Sequence, residues 1–170
     1  MFRLIGGILA IILCSFAGIF QSRKLSFRVT ELEEAILLCR KAKTYLAYEN
    51  TDTRELIRKL SEEEGLSHLK FLPAVFESMK EGQPFPKAWK RGIERGKNST
   101  NLTQGDVRVL MMFSDVIGKS DRNSQIGGIE LIEQLFSQAI DAAKRIREEK
   151  GVLYRSLGIL GGIGLAVLFL

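Results

Sequence analysis

The residue types that carry out chemistry are few in this chain. His68 is the only histidine, and it stands in a turn-like Gly-Leu-Ser-His stretch, so a histidine-activated nucleophile would have to be built around a turn. The two cysteines lie in different settings, Cys14 in an apolar run and Cys39 in an amphipathic stretch, which is not the spacing of a disulfide framework or a zinc site. Gly127 and Gly128 fall within a helical pattern and follow no strand, unlike a phosphate-binding loop. The residues therefore predict a protein that is not an enzyme and holds no cofactor or metal.

A cluster of basic residues is the pattern that most favours binding. Its members stand three and four positions apart, opposed by Glu94 alone, so most of the charge shares one face of a predicted helix. The ordinary interpretation is a solvated helix surface with Trp89 buried behind it. The functional interpretation is a docking face for an acidic partner or for lipid headgroups. Nucleic acid is not expected, because no aromatic residues alternate with the charges as a stacking platform requires. The residues of this basic face are Lys87, Lys90, Arg91 and Arg95.

Helical signals dominate the middle of the chain, where turn and cap residues divide six apolar-periodic segments. The spacing predicts an all-α bundle of six antiparallel neighbours joined by short turns. The predicted helix starts are Thr30 with Glu33 as its capping-box partner, Asp52 or Thr53, Pro73, Pro84 or Pro86, Thr103 with Asp106, and Asp121, and the predicted ends include Gly65, Gly82, Gly96 and Gly118.

The turn between the fifth and sixth helices is assigned to Phe113, Gly118, Asp121 and Gln125. Gly118 is expected to supply a left-handed residue and Asp121 to cap the last helix, so these roles are structural. Apart from Gly151, no helix breaker follows, and one long helix is expected to run from the bundle into the C-terminal apolar run.

Apolar residues dominate both ends of the chain. Residues 4–20 carry no charge and would form about 26 Å of helix, within the length that a bilayer core requires. Residues 156–170 form a second, shorter run. Arg23, Lys24 and Arg28 follow the first run and basic residues precede the second, which places the middle of the chain in the cytoplasm and both termini outside. We therefore predict transmembrane anchors at residues 1–22 and 153–170 in the cell membrane, around a cytoplasmic domain at residues 23–152.

A cleaved signal peptide is the alternative interpretation of the first apolar run. Arg3 would be its basic region, and Ser15-Phe16-Ala17 would be a small-x-small cleavage site. The basic residues that follow the run oppose export, so a retained anchor is favoured.

Small residues recur at multiples of four positions along both apolar runs. At helical pitch each set lies on one face, where another backbone can approach closely. The two predicted helices run antiparallel and could pack on each other or on the membrane helices of a partner. Glycine and alanine are common in membrane spans generally, so the pattern also fits helices without specific packing. The residues are Gly6, Ala10 and Gly18 in the first run and Gly158 and Gly162 in the second.

Several segments of the chain resemble the stage III sporulation protein AB family. Residues 113–125 read FSDVIGKSDRNSQ, and residues 154–162 read YRSLGILGG and lead into the terminal apolar run. Leu4-Ile-Gly6 at the N-terminus and Ala88-Trp89 in the fourth helix are similar to the family as well. The resemblance covers essentially the whole chain, and it rests on the order of these segments and on the two apolar ends rather than on one motif.

The resemblance implies a part in endospore formation. Proteins of this family belong to a channel complex in the mother-cell membrane that faces the forespore. Their soluble domain is similar to the six-helix cytoplasmic domain of the inner-membrane platform proteins of type II secretion and type IV pilus machines. By that analogy the partners are membrane lipid and other subunits of the complex, above all its secretion-type ATPase, and a homo-oligomer is compatible. The alternative function is an anchored basic helical module that binds anionic lipid or nucleic acid.

Overall fold

The computed structural model describes residues 2–49, 51–118 and 121–169, and over these residues it is all-helical, without a strand. Outside residues 18–154 it describes side-chain surroundings only at positions 12, 13, 16, 156, 157, 160, 161 and 164. The all-α class and the number of helices predicted from the sequence are thereby confirmed. The helices are α1 Phe2–Tyr48, α2 Thr53–Glu62, α3 Phe71–Lys80, α4 Phe85–Gly96, α5 Gln104–Val116 and α6 Arg122–Phe169, with short 3-10 turns at Glu64–Leu66 and Lys97–Ser99.

The chain forms two compact units. The first contains Met1–Val29 and Asp141–Leu170, and the second contains Thr30–Ile140. The second unit holds α2 to α5 together with the adjoining parts of α1 and α6. This second unit is called the bundle below.

Helix α1 begins far upstream of the predicted start. Thr30 and Glu33 match a capping box in sequence, yet both lie inside the helix that runs from Phe2 to Tyr48. The prediction of a helix start at Thr30 is wrong because residues 19–29 contain no glycine or proline, so nothing ends the helix before Thr30. Helix α6 is likewise continuous, and the prediction of one long C-terminal helix is confirmed.

The caps of the short helices follow local sequence rules. Thr103 and Asp106 form a reciprocal capping box at the start of α5, with the Thr103 N–H donating to Asp106 Oδ2 at 2.8 Å. Asp52 caps α2 by accepting the N–H of Glu55 at 2.8 Å. Gly82 ends α3 in a left-handed conformation with φ of 87°. These three boundaries agree with the sequence predictions.

The core of the bundle is contributed by all six helices. Packing proceeds from α2 to α3, from α3 to α4 and from α4 to α5 along the chain. Gly128 of α6 permits a close approach to α5, because a Cβ atom there would stand 2.7 Å from Cγ1 of Val116. Fully buried apolar side chains include Leu32, Leu38, Leu56, Ile57, Leu60, Leu72, Leu110, Ile129, Ile132 and Phe136.

No helix contains a stretch both long and apolar enough to cross a membrane, within the residues that the structure describes. Most side chains of the transmembrane anchors predicted at residues 1–22 and 153–170 lie outside the residues whose surroundings are described, and the anchors stay a prediction.

Candidate docking face on helix α4

Trp89 fixes the orientation of helix α4. Its indole N–H donates a hydrogen bond to the carbonyl oxygen of Leu110 at 2.9 Å, and its ring stacks on that of Phe113 with the centroids 4.8 Å apart. Phe71 and Phe85 complete the aromatic cluster, with ring centroids 5.2 and 5.5 Å from that of Trp89. Because the indole is 0% exposed and its polar atom is bonded, rotation of α4 about its axis would break the whole cluster.

Gly92 lets α4 lie directly against α3. A Cβ atom at this position would stand 2.5 Å from Cγ2 of Val75, which is closer than side chains pack. Ala88 and Ile93 are buried on the same side of the helix as Gly92 and Trp89. The inner side of α4 is thus apolar and closely packed, which leaves the opposite side to solvent.

The outer side of α4 carries the basic face. Lys87, Lys90, Arg91 and Arg95 are all exposed. Within the described residues, none of these four side chains forms an ion pair or a hydrogen bond. Glu94 is exposed among them, so four positive charges stand against one negative charge.

Several other basic residues of the bundle form ion pairs with nearby carboxylates. Arg40 and Lys43 of α1 each lie 2.8 Å from an oxygen of Glu133 in α6, and Lys41 lies 2.9 Å from Glu63. Burial raises the pKa of Glu133, but the hydrogen bonds from Arg40 and Lys43 outweigh it and the pKa is lowered. The basic face on α4 differs from these pairs because, among the described residues, none of its four side chains forms an ion pair.

The residues assigned to the turn between α5 and α6 occupy different places. Gly118 follows α5 with φ of 77°, and its N–H donates to Oε1 of Gln125 at 3.1 Å. The Asp121 carboxylate accepts the hydroxyl of Ser124 at 2.6 Å and its N–H at 3.1 Å, and these bonds lower the pKa of Asp121. The assignment of Phe113 to the turn is wrong: it lies within α5 and is 0% exposed. Its ring fills the core against the indole of α4 instead.

The small residues of the apolar ends are described only in part. Gly18 is half-buried, whereas Gly6, Ala10, Gly158 and Gly162 lie outside the residues whose surroundings are described. Within the first unit, Gly151 of α6 is buried close to Ser22 of α1, where an added Cβ would stand 3.5 Å from the serine Oγ. A Cβ atom there would make an ordinary van der Waals contact, so the two helices lie close at this point without requiring glycine.

His68 and Cys39, whose side chains could take part in chemistry, both lie in settings that serve the fold. Nδ1 of the exposed His68 lies 2.5 Å from Oε1 of Glu34, and the N–H groups of His68 and Leu69 donate to Oε2 at 2.8 and 3.3 Å. Glu34 therefore holds the loop before α3. Burial raises the pKa of the Cys39 thiol to about 12, which keeps it protonated at neutral pH. Among the described residues, no three histidine, cysteine or acidic side chains converge as a metal site would require.

Glu31 is a second buried carboxylate that holds a connecting segment, and the sequence patterns did not single it out. Its carboxylate is bonded by the hydroxyl of Thr100, by the N–H of Asn101 at 3.0 Å and by the Asn101 amide group at 2.8 Å. These bonds fix the linker between α4 and α5. Glu31 could have been found from its position, because it stands one helical turn before the buried Ala35 on the apolar stripe of α1.

The described residues thus form a closely packed helical bundle that carries an exposed basic face on α4. The chain belongs to the stage III sporulation protein AB family, since the family model of that description matches residues 3–170. It is 18% identical, over 171 residues and 100% of both chains, to stage III sporulation protein AB of Bacillus subtilis (strain 168). A solved structure of stage III sporulation protein AB (SpoIIIAB) matches with a TM-score of 0.64 at 16% identity, covering 72% of this chain and 98% of that one. At this identity the structural match concerns the fold.

Proposed function

We propose that this protein is a non-enzymatic platform subunit of a sporulation channel complex in the mother-cell membrane. Its bundle docks other subunits through the basic face on α4. The observation that carries the proposal is the unneutralised charge of Lys87, Lys90, Arg91 and Arg95 on a helix whose inner side is fixed by Trp89. Charge left without a local counterion steers an acidic partner and fixes its orientation.

The partner proposed for this face is the secretion-type ATPase of the same complex. The analogy is with platform proteins of secretion and pilus machines, whose cytoplasmic domains work beside such an ATPase. The family relationship supports a place in a sporulation complex, and the charge on α4 supplies a surface on which an acidic patch of the ATPase would bind.

Reversal of charge on the basic face is expected to weaken capture of the ATPase. The variant Lys90→Glu with Arg91→Glu replaces attraction by repulsion at the centre of the face, and we expect retention of the ATPase by the full chain to fall about tenfold. Retention is measured by pull-down from detergent solution at low and moderate salt. The wild-type interaction should weaken with added salt, because exposed charges are screened.

A matched control separates the face from net charge. Lys70→Glu with Arg145→Glu makes the same change in charge at two other exposed positions and should retain the ATPase. Equal losses in both double variants would contradict the proposal. Binding of the wild-type chain to anionic vesicles or oligonucleotides through these residues, without capture of the ATPase, would favour the alternative of a lipid- or nucleic-acid-binding module.

The apolar ends are proposed to hold the bundle at the membrane. Ile12, Leu13, Phe16 and Phe20 of α1 are 50–72% exposed, and Leu157 and Leu160 of α6 are 55% and 64% exposed. Contiguous exposed apolar side chains mark contact with lipid or with another protein. Basic residues follow the first run and precede the second, which favours a cytoplasmic bundle with both termini outside.

Cysteine labelling in intact cells tests this topology. With Cys14 replaced by alanine, an impermeant maleimide should label Phe2→Cys but leave the exposed Ser99→Cys unlabelled until the cells are lysed. The native Cys39 serves as an internal control, because it is buried and its thiol is protonated. Labelling of Ser99→Cys before lysis would contradict the topology, and loss of residue 2 from the mature chain would indicate a cleaved signal peptide.

A further inference from the structure

A recess lies beside the basic face, where the segment after α4 meets the start of α5. Its volume is about 290 Å³. This is enough for one or two side chains and too little for a folded element. It is lined by Lys97, Leu102, Gln104, Val107 and Arg108.

The rim of this recess is positive and polar. Lys97 and Arg108 are exposed, and within the described residues neither side chain forms an ion pair or a hydrogen bond. Among the described residues, no acidic one lines the recess. The nearby Asp106 is buried and accepts the N–H of Thr103 in the capping box. The two cations therefore remain available to an anionic group from outside.

The floor of the recess is apolar and incompletely packed. Leu102 and Val107 are half-buried, and both also line a smaller inner cavity of about 20 Å³ that reaches Ile93 and Leu110. An aliphatic side chain seated on this floor would remove apolar surface from water, which is the main source of favourable free energy in such contacts.

The recess is preformed by hydrogen bonds on the far side of the linker. Glu31 of α1 holds Thr100 and Asn101, which directly precede Leu102. The capping box holds the first turn of α5, which carries Gln104 and leads to Arg108. A site fixed in this way loses little conformational entropy when it is occupied.

We infer that this recess receives an aliphatic side chain, flanked by carboxylates, from an acidic segment of a protein partner. The inference rests on the proposed function, because it adds this recess to the same docking surface as the part that recognises the acidic segment of the partner. A bilayer surface fits less well, since its anionic groups face water while its aliphatic parts point away from the protein. The recess requires both groups together, with the charge at the rim and the aliphatic group below.

Calorimetric titration of the full chain in neutral detergent tests the inference. The probe is an acetylated, amidated heptapeptide Glu-Asp-Leu-Glu-Asp-Leu-Glu, and the matched probe has alanine in place of both leucines. We expect the leucine peptide to bind about tenfold more tightly than the alanine peptide, and Arg108→Glu to abolish most of that binding. Arg145→Glu makes the same change in charge at an exposed position outside both the recess and the inner cavity, and it should alter the affinity less than about twofold.

Three outcomes would overturn the inference. The first is equal affinity for the two peptides, including the absence of binding by either, and the second is equal loss of affinity in Arg145→Glu and Arg108→Glu. The third is an effect of Arg108→Glu on binding to phosphatidylglycerol vesicles but not on binding to the peptide. Any of these, with capture of the ATPase still sensitive to Lys90→Glu and Arg91→Glu, would leave the proposed function standing. If capture of the ATPase did not depend on Lys90 and Arg91 while selective peptide binding remained, the proposed ATPase partner would be contradicted instead.

Discussion

Replacement of Trp89 by alanine is expected to lower the free energy of unfolding of the bundle by about 3–5 kcal/mol. The indole is 0% exposed, touches three aromatic rings and donates a hydrogen bond to the Leu110 carbonyl at 2.9 Å. Its removal leaves a cavity between α3, α4 and α5 that no neighbouring side chain can fill without moving a helix. The measurement is urea denaturation of the full chain followed by circular dichroism.

Two comparisons isolate the cause of this loss. Trp89→Phe keeps a ring in the cluster but removes the N–H, and should cost about 1–2 kcal/mol. Tyr48→Ala removes an aromatic ring that is 86% exposed and should change the unfolding free energy by less than about 0.5 kcal/mol. If Trp89→Ala unfolded at the wild-type urea concentration, the aromatic cluster would not be the part of the core that orients α4.

Replacement of Glu31 by alanine is expected to lower the free energy of unfolding by about 3 kcal/mol. The change leaves the backbone N–H and the side-chain amide of Asn101, and the hydroxyl of Thr100, without their acceptor. Glu31 is 3% exposed, so water reaches the vacated site only if the linker moves. We therefore also expect faster hydrogen exchange at the Asn101 amide. Urea denaturation gives the global effect, and exchange measured by mass spectrometry gives the local one.

The role of Glu31 is distinguished from that of charge in general by two further variants. Glu31→Gln keeps one acceptor oxygen and should lose about half as much stability. Glu94→Ala removes an exposed carboxylate on α4 and should leave stability within about 0.5 kcal/mol of wild type. Unchanged exchange at Asn101 in Glu31→Ala would show that the linker is held by other contacts.

Local sequence rules predicted the short helices well because their boundaries are set by residues within one turn. Free backbone N–H groups at helix starts are bonded by Thr103 and by Asp52, and Asp106 bonds the N–H of Thr103 in return. Gly82 ends its helix by adopting a left-handed conformation. The same rule failed at Thr30, since a capping-box pattern starts a helix only where the preceding segment has already ended. No breaker stands in residues 19–29, and the helix continues through Thr30.

The contacts of the buried carboxylates Glu31 and Glu34 could not be predicted from the sequence, because they join residues far apart along the chain. Glu34 binds a loop 34 positions away and Glu31 binds one 70 positions away. A pattern shows an acidic residue on an apolar stripe but not its partner. The charge on α4 was predictable from its spacing, whereas the absence of ion pairs with the described residues of other helices depends on how those helices are placed. The position of Phe113 was misjudged for the same reason, since the aromatic ring that it meets belongs to another helix.

The chain contains a single tryptophan, and it lies directly behind the surface proposed for docking. Its intrinsic fluorescence therefore reports on one place, the aromatic interior beneath α4. Unfolding would transfer the indole to water and move its emission to longer wavelength. A ligand held by the outer cations would leave the emission maximum in place unless binding displaced the helix. The natural chain thus carries an optical signal that separates docking on a rigid helix from docking that reshapes it.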